Sequence, residues 1–477
     1  MSVPDHYAGV PPPPKTGAAP PHRETGWLPD CVFTGDKIET GLAFFADALG
    51  HVTRFSREAA DLAAARRLTG QAALPGLVNG HSQAWQRVLR GRRRPRSGGG
   101  HAGAVRAPDG LGGGDLYVAA RMAFMEMMLS GITCVGEFQN LHHQPDGTPW
   151  PEPDFPSHEL LRAAHDTGIR LALFKAVATR AGAGSPPDSA GARIATTPDQ
   201  FIREVDALRE FVARNAPGDD AWVGVAADSL RTVPLEHLKT VAAHAHAQRL
   251  RLHLPVSAQP ADNEACIAEH GRTPVALLAD QGLLDKRFTA IHAIHLTDEE
   301  ARLLGAARAT VCACPTSERE RGDGVVPADK LLTAGATLAL GTDGEIQIDL
   351  LEDARLLEYH LRVTRRRHDV LTAEAALPLF QAATAGGARS LGAPSGALEI
   401  GRPADFFTVN LYDPSIAGAE PDALLGNLVF SLERRAVREV WVGGRQCVAN
   451  GRHPYQGMIV GKFVELQRRL WGNAGSA

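Results

Sequence analysis

Short apolar segments alternate with amphipathic helical segments between about residue 72 and residue 345. Eight apolar segments are rich in β-forming residues: Ala72–Val78, Ile132–Phe138, Arg170–Val177, Ala221–Ala227, Leu250–Val256, Phe288–Ile294, Ala309–Cys314 and Ala336–Gly341. The helical patterns between them are Leu116–Leu129, Thr197–Arg214, Pro234–Gln248, Pro274–Gln281, Thr297–Leu304 and Leu350–Arg366. Strands that are apolar along their whole length are typical of a parallel sheet buried on both faces. The pattern therefore predicts an α/β chain that closes into a (β/α)8 TIM barrel.

A doubly wound open sheet is the structural alternative for such an alternation. Open sheets that bind dinucleotides carry a glycine-rich fingerprint after an early strand. No such motif follows the early apolar segments of this sequence. The closed barrel is therefore the favoured architecture.

The segments outside the alternation predict the remaining domains. Residues 1–24 are rich in proline and are expected to form a disordered arm. Short β-like segments within residues 25–70 and 391–455 predict a small β-sandwich subdomain built from both chain ends. The barrel is expected at residues 71–390, and a C-terminal helix or tail at residues 456–477.

A basic, glycine-rich segment interrupts the barrel pattern at residues 87–114. Between Arg87 and Pro108 it contains seven arginines, five glycines and no acidic residue. Such a composition offers little apolar surface to bury, which predicts a mobile loop. Two hypotheses remain open: a basic flap that attracts an anionic substrate, or an insert without function, which includes an artefact of the reading frame.

The overall composition excludes several classes of partner. The 477 residues include 50 Lys plus Arg and 54 Asp plus Glu, a net charge of −4. This near balance predicts no nucleic-acid partner and no membrane-surface partner. The sequence shows no apolar stretch of transmembrane length and no signal-peptide pattern, so a cytoplasmic protein is expected.

The six cysteines follow no disulfide framework, which suits a reducing compartment. Cys312 and Cys314 alternate with Ala313 in an apolar segment, so both are expected on the same face of a strand. Buried thiols are the favoured interpretation over a metal or redox pair.

Several peptides at the predicted strand ends carry polar side chains suited to chemistry. They are Asn79-Gly80-His81-Ser82-Gln83-Ala84-Trp85-Gln86-Arg87, Gly136-Glu137-Phe138-Gln139-Asn140-Leu141-His142-His143, Asp228-Ser229-Leu230-Arg231, His292-Ala293-Ile294-His295, Cys314-Pro315-Thr316-Ser317-Glu318, Gly322-Asp323-Gly324 and Gly341-Thr342-Asp343-Gly344-Glu345. In this order they resemble the amidohydrolase superfamily, and within it the formimidoylglutamate deiminases. The resemblance covers most of residues 74–450.

The resemblance implies a barrel that holds one divalent metal ion, usually zinc. The ligands would be a His-x-His pair on strand one, a histidine on strand five and an aspartate on strand eight. A glutamate three residues after the strand-five histidine and a histidine on strand six would transfer protons. Such a metal ion lowers the pKa of bound water from near 16 to about 7.

The implied ligand set is incomplete in this sequence. His81 and Asp343 stand at two of its positions, whereas Gln83 replaces the second histidine of the pair and Pro255 aligns with the strand-five histidine. Using His253 instead would place the ligand about 6–7 Å deeper in the barrel. Catalytic zinc sites use three protein ligands. No tightly bound zinc is therefore expected in the usual place, and Zn(II) would require a rearranged site.

The implied proton-transfer groups are also changed. Ala258 aligns with the glutamate after strand five, and Glu345 replaces a histidine after strand eight. His292 remains as the strand-six histidine. We expect His292, Asp343 and Glu345 to be the catalytic residues, with Asp343 fixing the imidazole tautomer in an acid–base pair.

Four further residues are expected to bind substrate. Arg231 aligns with an arginine that holds the substrate carboxylate, a task that suits a bidentate guanidinium. Gln86 belongs to the resembling peptide after strand one. Asp228 and Gln139 stand where the family has histidines at other strand ends.

Three functional hypotheses follow. The first is an amidohydrolase-like enzyme that acts on an amidine, formimidoyl or amide C–N bond of a small polar, carboxylate-bearing substrate through metal-independent acid–base chemistry. The second is a non-catalytic relative that binds a small molecule or a partner. The third is a zinc-dependent deiminase of the formimidoylglutamate type. The expected partner is a small-molecule substrate, and a homodimer is possible by analogy with the family.

Overall fold

The structure is a computed structural model that describes residues 24–92, 107–108, 110–180, 194–216, 218–371 and 374–472. The predicted proline-rich arm, apart from Glu24, lies outside the described residues. The same holds for residues 93–106 and 109 of the predicted basic insert.

Strands and helices alternate through most of the described chain. In chain order the strands are β1 (Thr25–Phe33), β2 (Ile38–Thr40), β3 (Ala43–Ala46), β4 (Val52–Ser56), β5 (Arg66–Pro75), β6 (Leu77–Ser82), β7 (Ile132–Gln139), β8 (Arg170–Val177), β9 (Ala221–Ala227), β10 (Leu252–Val256), β11 (Phe288–His292), β12 (Thr310–Ala313), β13 (Thr337–Leu340), β14 (Phe406–Asn410), β15 (Val437–Val442) and β16 (Arg445–Val448). The α-helices are α1 (Ala59–Ala64), α2 (Gly113–Leu129), α3 (Phe155–Thr167), α4 (Pro198–Asn215), α5 (Leu235–Ala247), α6 (Pro260–His270), α7 (Pro274–Asp280), α8 (Asp298–Ala306), α9 (Pro315–Arg321), α10 (Ala328–Ala334), α11 (Leu350–Arg365), α12 (Ala376–Gln381), α13 (Gly387–Leu391), α14 (Pro421–Phe430) and α15 (Gln456–Trp471).

Strands β6 to β13 form a parallel sheet in which each strand pairs with the next along the chain. The first and last strands meet where Ser82 forms a β-bridge with Asp343. Across this seam the Asp343 N–H donates to the His81 carbonyl, and the Gln83 N–H donates to the Asp343 carbonyl, both at 3.0 Å. The predicted (β/α)8 barrel is therefore confirmed, and the open doubly wound sheet does not form.

Local sequence signals account for the helix ends. The Thr197 hydroxyl accepts a hydrogen bond from the Gln200 N–H at the start of α4, and Thr297 and Glu300 form a capping box at the start of α8. Gly168 and Gly271 end α3 and α6 in the left-handed conformation, which glycine adopts at low cost. These caps determine the residues at which these helices begin or end.

Small and apolar side chains fill the interior of the barrel. This inner cluster includes Val78, Cys134, Ala172, Phe174, Ile291 and Cys312. Cys314 belongs to the same cluster, and all six cysteines of the chain are buried and free. The barrel is thus a packed core rather than a pore, and its polar groups are concentrated at one end.

A second sheet contains strands from both ends of the chain. Its order is β16-β15-β14-β5-β1-β3-β4, with β2 paired to β1. The pairing is antiparallel except between β1 and β5, which run parallel. The subdomain built from both chain ends, predicted from the sequence, is therefore present as one mixed sheet.

The structure corrects one strand boundary. The apolar run Ala72–Val78 was expected to be the first barrel strand, but its first part belongs to β5, where Ala72 and Ala73 pair with β14 of the second sheet. The chain changes sheets at Gly76, where a Cβ would lie 2.0 Å from the Thr133 hydroxyl. An uninterrupted apolar run cannot show this change, because both sheets bury it.

A buried ion pair connects the two sheets. Arg170, at the start of β8, directs Nε to Asp405 Oδ2 at 2.7 Å and Nη2 to Asp405 Oδ1 at 3.2 Å. Asp405 directly precedes β14 and is fully buried.

Within the described ranges, no helix combines the length and apolar character needed to cross a bilayer.

Candidate active site

Three polar side chains meet at the carboxyl ends of the barrel strands. His81 lies in β6, His292 ends β11, and Asp343 follows β13. Their exposed fractions are 2%, 6% and 1% respectively. Parallel strands in a barrel bring their carboxyl ends to one face, where the active sites of such barrels lie.

The Asp343 carboxylate is the centre of the group. Its Oδ1 lies 3.4 Å from His81 Nε2 and accepts a hydrogen bond from Gln83 Nε2 at 3.0 Å. Its Oδ2 lies 2.5 Å from Arg321 Nη1. Burial alone would raise the pKa of Asp343, but the Arg321 guanidinium, with His81 and His292, holds this pKa well below its usual value. The carboxylate is therefore ionised at neutral pH.

Arg321 binds three different partners with one guanidinium. In addition to Asp343, its Nε donates to Asp323 Oδ2 at 2.6 Å, and its Nη2 lies 3.3 Å from His292 Nε2. Asp323 also accepts a hydrogen bond from Gln259 Nε2 at 2.7 Å. Arg321 is the last residue of α9, and the chain turns away at Gly322 with φ +70°.

A buried glutamate orients the His292 imidazole. Glu318 Oε1 lies 3.0 Å from His292 Nδ1 and accepts the Cys314 N–H at 2.8 Å. With Nδ1 protonated toward this carboxylate, Nε2 presents its lone pair toward Arg321, which donates. Asp343 Oδ2 lies 3.9 Å from the same nitrogen. The imidazole is thus held as a base that faces the centre of the site.

The strand ends that carry this group have unusual backbone conformations. His292, Asp343 and Glu345 have φ angles of 68°, 47° and 54°. Non-glycine residues with positive φ are uncommon, cost about 1–3 kcal/mol each and concentrate at functional sites. This strain supports assigning the barrel's chemistry to this end.

The Glu345 side chain contacts a different set of residues from His292 and Asp343. It accepts a hydrogen bond from Thr342 Oγ1 at 2.6 Å and lies beside Glu137, whose Oε2 accepts the Ser82 hydroxyl at 2.5 Å. Burial raises the pKa of Glu345 to about 7 and that of Glu137 well above its usual value. Of the three expected catalytic residues, the structure therefore brings His292 and Asp343 together and places Glu345 with Glu137.

Two of the expected substrate-binding residues lie near the ends of β7 and β9. Asp228 accepts hydrogen bonds from Asn140 Nδ2 at 3.2 Å and from Thr232 Oγ1 at 3.1 Å. Gln139 donates to the Leu141 carbonyl at 2.7 Å. The Gln139 Oε1 atom is buried without a hydrogen-bond partner among the described residues.

Arg231 and Gln86 lie at other edges of the barrel mouth. Arg231 Nη1 pairs with Asp262 at 3.2 Å, and its buried Nε has no partner within the described part of the chain. Gln86 lies on the 3-10 helix Ala84–Leu89 and is buried. Its neighbour Arg87 pairs with Glu126 and donates to the Glu345 carbonyl at 2.5 Å, so it braces the loop after β13.

A small pocket lies near the carboxyl end of β7. It is lined by Trp85, residues 137–141, and side chains of α2 and α3. The Trp85 Nε1, Gln139 Oε1 and Asn140 Oδ1 atoms are buried, with no partner in the described ranges. Asp343, His292 and Arg321 do not line this cavity.

The residues present do not fit a zinc ion at the position that the resemblance implies. His81 and Asp343 are the only two of the implied ligands that remain, and Gln83 is engaged with Asp343. His253 Nε2 donates a hydrogen bond to the Ser390 carbonyl at 3.1 Å, and the imidazole stacks on Phe174 with the ring centroids 3.7 Å apart. Burial lowers the pKa of His253 to about 3. A guanidinium against Asp343 would also repel a second cation.

Another group has the donor types that zinc prefers. Among the residues that the structure describes, ligand atoms of His292, Cys314 and Glu318 lie within 4.8 Å of one another. Nitrogen, sulfur and oxygen donors in this number match a catalytic zinc site. However, burial raises the pKa of the Cys314 thiol well above its usual value, whereas zinc binds the thiolate.

Arg321 was not among the site residues predicted from the sequence, and no role was predicted for Glu318, Asp323 or Glu137. Glu318 and Asp323 lie in peptides that carry the family resemblance, whereas Arg321 lies between those peptides. The available signal was the position of Arg321 directly before Gly322-Asp323-Gly324, in a loop that follows a barrel strand.

Comparisons with known proteins identify the family. The model of the amidohydrolase family matches residues 72–447. The chain is 33% identical over 419 residues to a formimidoylglutamate deiminase of Pseudomonas aeruginosa, covering 85% of this chain and 91% of that protein. It is 28% identical over 397 residues to a 5-methylthioadenosine/S-adenosylhomocysteine deaminase of Moorella thermoacetica, covering 80% and 82% of the two chains.

Solved structures agree with this assignment. An amidohydrolase from Brucella melitensis superposes with a TM-score of 0.84 at 26% identity, covering 94% of this chain and 99% of that one. An atrazine chlorohydrolase from Arthrobacter aurescens, solved with zinc, superposes with a TM-score of 0.80 at 22% identity, covering 93% and 100%. The second similarity shows the fold alone. The chain therefore belongs to the amidohydrolase family, and it is an enzyme of the class that acts on C–N bonds.

Proposed function

We propose that this enzyme hydrolyses an amidine, formimidoyl or amide C–N bond of a small polar substrate that bears a carboxylate. We further propose that His292 and Asp343 supply the acid–base chemistry, without a metal ion at the implied family position. The observation that carries this proposal is the His292 imidazole, oriented by Glu318 so that Nε2 contacts Arg321 and lies 3.9 Å from Asp343 Oδ2. The relative with 33% identity, a formimidoylglutamate deiminase, supports the choice of bond.

The proposed reaction begins when a water molecule displaces the Arg321 Nη2 group from the lone pair of His292 Nε2. The water then loses a proton to this nitrogen as its oxygen attacks the substrate carbon. The Glu318 carboxylate favours this step, because it stabilises the imidazolium that forms. The leaving nitrogen takes this proton from His292 before or as the C–N bond breaks, and the electron pair of that bond remains on nitrogen. The new hydroxyl group becomes a carbonyl group as it gives up its proton, which an amidine or formimidoyl nitrogen takes as its second, and the nitrogen leaves as ammonia or an amine. The ionised Asp343 carboxylate orients the water or the substrate N–H.

Arg231 is the proposed partner of the substrate carboxylate. Its Nη1 is paired with Asp262, but its buried Nε has no partner among the described residues. A carboxylate that binds at Nε would form the charge-assisted hydrogen bond that this atom lacks.

The test is an ammonia-release screen of carboxylate-bearing formimidoyl, guanidino and amide compounds with the purified full chain. For a substrate found in this way, we expect His292→Asn to lower kcat by about 100-fold or more, the usual contribution of a general base. His246→Asn, at an exposed position on α5, is the matched control and should retain full activity. Equal activity in the two variants would refute the role of His292.

A zinc-dependent deiminase is the second candidate. The donor set of His292, Cys314 and Glu318 favours it. Metal analysis of the purified protein separates the two candidates, because this one requires about one zinc per chain. Loss of that zinc in Cys314→Ser would assign it to this group.

A further inference from the structure

We propose that the Arg321 guanidinium is the resident cation of this site and keeps a divalent metal ion out of it. The inference deepens the proposed function, and only its catalytic consequence rests on that function. The guanidinium occupies the space between the Asp343 and Asp323 carboxylates and the His292 imidazole. Asp343 is one of the two implied family ligands that remain, and the guanidinium binds its Oδ2 atom.

The contacts of Arg321 define a site with the shape and charge of a cation site. Asp343 Oδ2 lies 2.5 Å from Nη1, Asp323 Oδ2 lies 2.6 Å from Nε, and His292 Nε2 lies 3.3 Å from Nη2. Two carboxylate oxygens and one imidazole nitrogen thus converge on one positively charged group. If the guanidinium were removed, Asp343 Oδ2 and His292 Nε2, which lie 3.9 Å apart, would be free to bind a divalent ion.

The Arg321 guanidinium and its two carboxylate partners are largely buried. The Asp343 and Asp323 side chains are almost fully buried, and the Arg321 side chain is 13% exposed. Arg321 is therefore the most exposed member of the group. In such an environment an unpaired carboxylate is costly, so each aspartate requires a positive partner at all times.

The backbone around Arg321 holds its guanidinium beside the two aspartates. The residue ends α9, and Gly322 in the left-handed conformation directs the chain into the turn that carries Asp323. His295 stabilises the same turn through the Asp323 carbonyl at 2.8 Å from its Nε2. The guanidinium is thus held from both sides of the turn rather than resting on a mobile surface.

For the proposed hydrolysis, the consequence is that a side chain supplies the positive charge beside His292 and Asp343. A guanidinium cannot lose its proton at physiological pH. It can neutralise charge and donate hydrogen bonds, whereas the water that attacks must be activated by His292.

The test is zinc binding by the full chain in three variants, measured by competition with a chromogenic zinc indicator and by zinc-dependent change in Tm. Arg321→Met removes the charge and keeps an apolar side chain of similar length. Arg321→Lys retains the charge. Arg319→Met, at an exposed position of the same helix, is the matched control.

We expect Arg321→Met to bind zinc at least about tenfold more tightly than the wild type, because a like charge within a few ångströms has been removed. The wild type, Arg321→Lys and Arg319→Met should bind zinc weakly and alike. Adding Asp343→Asn to Arg321→Met should abolish the gain. If Arg321→Met does not fold, Arg321→Gln replaces it in the same comparison.

Two results would overturn the inference. One is zinc binding by the wild type that is as tight as in Arg321→Met and is lost in Asp343→Asn. The other is a gain in Arg321→Met that persists with Asp343→Asn. Because no readout requires turnover, a failed substrate screen would refute the proposed function and leave this test unaffected.

Discussion

At the scale of single residues, the site depends on which groups share a proton or a charge. Asp343 is held ionised by Arg321, and the His292 tautomer is set by Glu318. Glu345, with a pKa raised to about 7 by burial, lies instead with Glu137. Asp343 and Glu345, two residues apart after β13, thus lie in different groups of side chains, and their pKa values are shifted in opposite directions.

Glu318→Gln tests the orienting role of this glutamate. The amide oxygen can still accept the hydrogen bonds from Cys314 and His292, so folding should be close to that of the wild type. The loss of negative charge weakens stabilisation of the imidazolium, and we expect kcat to fall about ten- to a hundredfold with KM little changed. The measurement is the kinetics of the substrate found in the screen.

Glu320→Gln is the control for this prediction, since Glu320 lies on the same helix at an exposed position. Its kinetics should match those of the wild type. Unchanged kcat in Glu318→Gln would show that the carboxylate only supports the local structure.

His81, His292 and Asp343 could be placed at one end of the barrel from the sequence, because strand ends are visible in the apolar pattern. Arg321 could not, since α9 is short and the direction of a side chain in the following turn depends on Gly322 and Asp323. The side chains that Glu345 contacts could not be predicted from the sequence either. Its backbone has φ +54°, and alternation along a strand does not apply after such a residue.

At the scale of the secondary-structure elements, close approach of helices requires small residues. Gly305 in α8 faces the end of α10, where a Cβ would lie 2.0 Å from the Ala334 carbonyl oxygen. Gly461 in α15 has no heavy atom within 4 Å of such a Cβ. The two positions therefore differ in packing and share the same helical backbone.

Gly305→Ala should lower the free energy of unfolding by at least about 1 kcal/mol, because overpacking exceeds the gain in helix propensity. Gly461→Ala should raise it by about 0.5–1 kcal/mol, since alanine favours an open helical position. Urea unfolding of both variants measures the difference. A Gly305→Ala variant as stable as Gly461→Ala would contradict the close contact of α8 with α10.

The ends of a strand could be predicted from the sequence where the whole apolar run belongs to one sheet. The expected segment Leu250–Val256 became β10 at Leu252–Val256, a small adjustment. The expected segment Ala72–Val78 was divided between two sheets at Gly76. Both sheets accept apolar residues, so the hydrophobic pattern carries no information on the point of transfer.

At the scale of the whole molecule, the barrel and the second sheet are joined by the ion pair of Arg170 and Asp405. Both side chains are almost fully buried, with two hydrogen bonds between them. Removing one partner of such a pair leaves a buried charge without compensation and costs about 3–5 kcal/mol. An exposed pair contributes about 1 kcal/mol or less.

Arg170→Met should therefore lower the free energy of unfolding by about 3–5 kcal/mol, and adding Asp405→Asn should recover part of this loss. Lys462→Met is the control, because Lys462 and Glu465 form an exposed pair on α15. Urea unfolding of the wild type, Arg170→Met, Asp405→Asn and the double variant gives the coupling energy, and Lys462→Met is measured in the same way. Equal effects of Arg170→Met and Lys462→Met would mean that the two sheets do not depend on this pair.

The arrangement of the second sheet also determines how the chain can be divided. Strands β1 and β14 lie on either side of β5 in this sheet, and β5 continues into the first barrel strand through one glycine. A fragment that begins at β6 would lack β1 and β5 and leave β14 without its β5 neighbour. A fragment that stops after the barrel would lack β14 and expose one edge of β5. Segments from both ends of the chain thus pair in one sheet that is continuous with the first barrel strand. The barrel alone is therefore not a suitable unit for expression or for domain shuffling.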